Sequence, residues 1–346
     1  MAEAGEDAIA PAVPSKHRMF SLGRWTKTAL LTAILVVLLL AALFYLRKNA
    51  PPEAARLLPE SDGIVYVDVA PLRTATRFDA HPVNHDPDYQ HFVEATGIEF
   101  ERDLSEAAFA LHRMSNPLGP NGPVAFSSIF VGRFDNQRLS SYLEGIAQSK
   151  ERYAGHDIYN IAIDGRTDRV AILRSDTVAV SNTPTEEQIH SILDRQRTAF
   201  LPFSGNSLLS RHYREVPLFS LAWGIGKLAA GMGDDFKLFG FRIPLSIDAT
   251  FIASLRWAGA LHLKIEEIAP NGTAATLSAD SLEALLSIFK TAENALPNAV
   301  TNPDTKALLN SVEIEHHNDR AVVTAIIPMS LLQKLTSPPD NQPALP

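Results

Sequence analysis

The chain has 346 residues, of which 46% are hydrophobic, 20% charged and 8% aromatic, with a formal net charge of −8. That composition excludes a wholly disordered or collagen-like chain, and the length suggests about two folded units. Cysteine is absent, which excludes disulfides, thiolate zinc sites, iron–sulfur clusters and a cysteine nucleophile.

Residues 1–28 begin small, acidic and proline-containing, and predict a disordered cytoplasmic tail. Residues 29–46 read ALLTAILVVLLLAALFYL, 18 residues without a charge. At about 1.5 Å per residue a helix of this length covers roughly 27 Å, close to a bilayer core of about 30 Å. A helix satisfies its own backbone hydrogen bonds, so this run predicts one transmembrane helix. A cleaved signal peptide fits less well, because 28 residues precede the run and Lys48 stands where a small residue should precede cleavage.

Lys16, Arg18, Arg24 and Lys27 precede the run, and Arg47, Lys48 and Arg56 follow it. The balance places the N-terminus in the cytoplasm. Residues 1–50 carry a net charge of +3 and the remainder −11. So acidic a body has no attraction to an anionic inner leaflet or to nucleic acid, which fits the far side of an inner membrane. The expected partners are the lipid bilayer, through residues 29–46, and an envelope protein. Ala29 and Ala33 make one small-x-x-x-small pair, a weak helix-pairing signal.

Residues 47–57 read as a tether stiffened by Pro51-Pro52. Strands are predicted at 63–69, 107–113 and 124–132, with the SNPLGPNGP loop between the last two. Leu139, Tyr142, Leu143 and Ile146 then mark one helical face, with Asp135 as its N-cap. Strands follow at 158–163, 170–174 and 177–181, with Asp164-Gly165 as a hairpin turn. Thr183-Pro184-Thr185-Glu186 reads as a capping box opening a helix that buries Ile189, Ile192 and Leu193.

Residues 201–206 read as a joint. Beyond it come a short helix at 207–214 and strands at 218–223, 245–257 and 261–268. A helix is predicted at 280–296, with Leu282, Leu285, Leu286, Phe289 and Leu296 on one side. A hairpin at 312–316 and 321–327 turns about Asn318-Asp319, and a short helix covers 328–335. Residues 337–346 are a disordered tail. The expected fold is α+β: an N-terminal transmembrane helix followed by two similar units, 58–200 and 201–336, with mainly antiparallel sheets.

Leu58-Pro59-Glu60-Ser61-Asp62-Gly63, the following strand and Leu72-Arg73 together resemble the opening of an uncharacterised family of bacterial membrane-anchored extracytoplasmic proteins. Two further pieces fit the same pattern. One runs from Asp88-Tyr89 through Phe92 and Thr96-Gly97 to Asp103-Leu104, and the other is Gly132-Arg133-Phe134-Asp135. The resemblance covers most of residues 55–335 and implies an N-terminal anchor and an extracytoplasmic α+β body. It implies no activity, and structural roles for Asp68 and Arg73.

One polar cluster carries possible chemistry. His81, His85, Asp86, Asp88 and His91 fall within eleven residues on what reads as a loop, and imidazole and carboxylate are the usual ligands of a divalent metal. The spacing matches no established metal motif, so the primary expectation is a solvated loop docked through Tyr89 and Phe92. A metal-dependent hydrolase using His81, His85 and His91 is the alternative. His316-His317 would point to opposite faces of a strand.

Other signals are weaker. Ser287-x-x-Lys290 has the spacing of serine acyl enzymes but lacks the accompanying elements. Trp223-Gly224-Ile225-Gly226 has neither Walker nor dinucleotide spacing and reads as a flexible connection. Asn271-Gly272-Thr273 is a glycosylation sequon. Glu266-Glu267 is expected to face solvent at one position. No catalytic residue and no cofactor are assigned. The expected function is a non-enzymatic binding or scaffold role in the cell envelope.

Overall fold

Hairpin chemistry and strand alternation account for most of the architecture. The computed structural model describes residues 32, 34–38, 50–76, 86–198, 205–227, 237–238, 241–242, 248–295 and 303–331. They belong to two compact units, Met1–Asn49 and Ala50–Pro346. In the first, residue 32 and residues 34–38 are helical, and Ile34 to Leu38 are exposed. The rest of the predicted span at 29–46, like both terminal tails, lies outside the described residues. No described helix is long and apolar enough to cross a membrane.

The second unit is α+β and is built on one antiparallel sheet of twelve strands. Its first strands are β1 (Gly63–Asp68), β2 (Leu104–Arg113) and β3 (Val124–Gly132). β4 (Ser149–Tyr153), β5 (His156–Ile163), β6 (Arg166–Arg174) and β7 (Thr177–Ser181) follow. After β8 (Ser220–Gly226), a separate two-stranded pair is formed by β9 (Lys237–Leu238) and β10 (Phe241–Arg242). The large sheet is completed by β11 (Thr250–Trp257), β12 (Leu261–Ile268), β13 (Glu313–His317) and β14 (Arg320–Ile327). Its order is β13-β14-β12-β11-β8-β1-β2-β3-β7-β6-β5-β4. The sheet is therefore continuous across the predicted joint at 201–206, because β1 pairs with β8.

The helices of this unit are α1 (Glu53–Leu57), α2 (Val69–Thr76), α3 (Pro87–Thr96), α4 (Phe100–Asp103), α5 (Asn136–Ile146), α6 (Glu187–Thr198), α7 (Ser207–His212), α8 (Gly272–Ala295) and α9 (Pro303–Ser311). α1 occupies part of the predicted tether. Its Ala54, Ala55 and Leu57 are buried, so residues 53–57 belong to the core.

Directly opposed residues share a sheet face, so the register defines two cores. On one face Ile64, Tyr66, Ala108, Ile129, Ile158 and Ala179 meet Leu57 of α1 and its C-cap Leu58, and Ile189, Ile192 and Leu193 of α6. On the other, Tyr159, Ile161, Val170 and Val178 meet Leu139 and Leu143 of α5, with Phe92 packed alongside. Strands β5 to β7 are thus covered on both sides. That explains why their apolar residues run together instead of alternating cleanly.

Several boundaries differ from expectation for identifiable reasons. Trp223-Gly224-Ile225-Gly226 is the end of β8, not a flexible connection. A Cβ on Gly226 would lie 2.8 Å from the Gly63 Cα and 3.0 Å from the Asp62 carbonyl oxygen, so the glycine permits close strand approach. The capping box at 183–186 does not form. The Thr183 hydroxyl donates to the Thr185 carbonyl instead, and the helix starts at Glu187. The long helix α8 begins eight residues before the expected start, where Asn271 Oδ1 accepts from the Ala274 N–H. Its first turns bury Ala275, Ser278 and Ala279, small side chains that give little apolar period.

Candidate functional site

The predicted metal cluster is only partly described: His81 and His85 lie outside the described residues. Asp86 to His91 form a helix N-terminus, not a loop. Asp86 is the N-cap of α3, its carboxylate accepting from the Tyr89 N–H at 2.8 Å, and Pro87 takes the first helical position. Asp88 and His91 sit exposed on α3, with the His91 ring 6.2 Å from Tyr142. Among the described residues no group of three His, Asp or Glu side chains is placed to hold a metal ion.

Three pieces of the resemblance, at Arg73, from Tyr89 to Asp103 and at Arg133, converge at one place. Arg73 Nη1 on α2 donates to the carbonyls of Glu101, Arg102 and Leu104 at 2.9, 2.7 and 3.0 Å. Tyr89 Oη donates to Glu101 Oε2 and accepts from the Phe100 N–H, both at 2.8 Å. Burial, with Glu101 alongside, pushes the Tyr89 hydroxyl up to about 12. Asp103 is buried and receives Arg102, Arg133 and the Glu99 N–H. Burial alone would raise its pKa, but those donors outweigh it and hold the carboxyl below the usual range. Arg138 donates to the carbonyls of Glu94 and Ala95 beneath Gly97. Gly97 itself adopts φ +74 as the cap of α3, and any Cβ there would meet Arg138 Nη1 at 2.6 Å. These residues clamp the connection from α3 to β2, and all are accounted for by structure.

Two polar groupings, the first buried and the second half-buried, gave no sequence signal. The first is a chain of hydrogen bonds crossing three strands. His112 Nε2 lies 2.9 Å from Ser127 Oγ, Ser127 lies 3.1 Å from Ser181 Oγ, and Ser181 lies 2.9 Å from Thr183 Oγ1. All four residues are buried, and burial pulls the His112 pKa below its ordinary value against the field of Asp62. The histidine–serine contact has the geometry of a base and a nucleophile. Ser127, however, is wholly enclosed, so the contact joins strands and no substrate reaches it.

The second grouping lies at the opposite strand ends. Asp68 and Glu106 face each other across β1 and β2. Burial raises both carboxyls, and Asp68, Glu53 and Asp176 raise Glu106 further, while Tyr66 hydrogen-bonds to Glu106. Burial, then Glu106 and Asp68, also raise Tyr66, whose ring stacks on Trp223 at 5.5 Å. Asp68 accepts from the Ala70 N–H and so caps the start of α2.

Glu266 and Glu267, expected to have one solvent-facing member, are both buried, at 5% and 3% exposure. Glu266 pairs with Lys264 at 2.6 Å and with Arg320, which also reaches Glu215. Burial raises the Glu266 carboxyl, but these cations outweigh it and hold it low. His316 and His317 pair with Ala321 and Arg320 on alternate faces of the terminal hairpin. Ser287 and Lys290 line an open groove of about 310 Å³ between α8 and Ile314.

No family model matches the chain, and no curated protein matches it. Among solved structures, crystal forms III, I and IV of TP0453 are similar at 12%, 12% and 13% identity, with TM-scores of 0.48, 0.45 and 0.43. Each likeness covers 83% of this chain, and 98%, 97% and 97% of the respective TP0453 chain.

Proposed function

We propose that this chain is a single-pass membrane protein whose extracytoplasmic body serves a binding or scaffold role in the cell envelope. The observation that carries the reading is the uncharged run at 29–46, followed within a few residues by a body of net charge −11. The described polar clusters support a non-catalytic body, because each one caps a helix, joins strands or pairs charges within the fold. The resemblance at residues 58–73 and 88–135 points to the same class of anchored envelope proteins.

The body reads as two related halves, 58–200 and 201–336. Element order supports this. In the first half β1, β2 and β3 run in sequence, α5 follows, and a four-stranded meander from β4 to β7 brings β7 back beside β3. In the second, β8, β11 and β12 run in sequence, α8 follows, and a return hairpin brings β14 back beside β12.

Membrane fractions washed in alkaline carbonate, combined with external protease on spheroplasts, test the reading. The chain is expected to stay with the membrane, and the protease to degrade the body while sparing residues 1–28. Release by carbonate, or a body protected from external protease in cells whose outer barrier has been removed, overturns it.

A further inference from the structure

Four exposed apolar side chains collect at the strand ends where the tether joins the body. Glu53, the first residue of α1, bonds Arg174 at 2.6 Å and lies within the field of Glu106. Glu106 opposes Asp68 at the end of β1. β8 runs antiparallel to β1, so its start at Ser220 lies at that same end, and Arg256 of β11 opposes Ser220. α4 leads directly into Leu104, the start of β2, which again is this end. Phe100 is 43% exposed, Leu218 48%, Phe219 72% and Trp257 45%. Phe219 also holds φ +62, a left-handed backbone that a bulky residue rarely adopts. Arg102, Arg133 and Arg256 lie exposed around them.

We propose that this end of the body rests on the lipid bilayer, with Phe100, Leu218, Phe219 and Trp257 entering the headgroup boundary. The proposal deepens the anchored reading and rests on it. If the span ends at residue 46, six residues separate it from α1, and they reach at most roughly 20 Å when fully extended. A tether of that length lets the strand ends beside Glu53 reach the membrane surface. Aromatic side chains favour the headgroup level, and arginine can lay its stem on apolar surface while its head stays wet. Leu118 is 97% exposed in the loop after β2, at the other end of that strand, and so serves as the internal control.

The chain has no cysteine, so single cysteines can report each end. The full chain carrying Ala258→Cys or Leu118→Cys is labelled with an environment-sensitive fluorophore. It is then reconstituted in phosphatidylethanolamine–phosphatidylglycerol vesicles containing nitroxide-bearing lipid. The proposal expects blue-shifted, quenched emission at 258 and neither effect at 118. It also expects Phe219→Ser with Trp257→Ser to abolish quenching at 258 while the chain still floats with the vesicles. Flotation with unquenched emission at 258, or with equal quenching at 258 and 118, overturns the docking and leaves the anchor standing. Failure of the unmutated chain to float overturns both.

Discussion

His112 lies enclosed between strands, its Nε2 set against Ser127. Burial disfavours the imidazolium, so the folded pKa is below the unfolded value of about 6.5. The unfolded chain therefore takes up the proton first. Stability from this residue is complete above the unfolded pKa and is lost as pH falls towards the folded one. If the ring stays neutral in the fold, lowering the pH from about 7.5 to about 5.5 costs about 1.4 kcal/mol. Asp62 opposes the shift, so that figure is an upper bound. His112→Gln retains a donor for Ser127 but does not titrate. Urea denaturation of both proteins across this range isolates the residue: the advantage of the parent over the variant should shrink on acidification. A difference that stays constant with pH would refute the argument that burial holds this ring neutral.

Arg73→Ala removes the donor shared by three carbonyls at the start of β2. It should cost about 1–3 kcal/mol by thermal denaturation, and an unchanged melting temperature would dissolve the assigned clamp. Gly226→Ala places a methyl against the Gly63 backbone and should destabilise by about 1–3 kcal/mol, whereas a neutral result would contradict the β1–β8 register. Zinc added to the full chain should leave its melting temperature unchanged. A rise that His85→Ala with His91→Ala abolishes would establish the metal site instead.

Much of the sheet was legible because alternation and turn chemistry act locally. β3 and β7 lie where the sequence placed them, and Asp164-Gly165 turns the β5–β6 hairpin with φ of +50 and +77. α3 is hard to read because its first turn is polar and proline-containing, a composition it shares with loops. Asp86-Pro87, read as a cap followed by the first helical residue, contains the signal. β4 was missed because SKERY is a charged edge strand without apolar alternation. The burial of Glu266 was not readable, since it depends on Arg320 and Glu215, which are distant in sequence. The His112 chain was equally hidden, because each of its bonds to the next strand needs the register to be known first.

The pairing of β1 with β8 also orders events in time. Gly63 and Gly226 oppose each other across 163 residues of chain. At about 5–20 residues per second, synthesis of the intervening stretch takes roughly ten to thirty seconds. Until β8 emerges, one side of β1 is an open hydrogen-bonding edge, able to pair with any extended segment nearby. A nascent body of this kind therefore passes through an interval in which half of its sheet can be complete while its middle strand is still unsatisfied. Mispairing between neighbouring nascent chains, if it occurs, should centre on that strand.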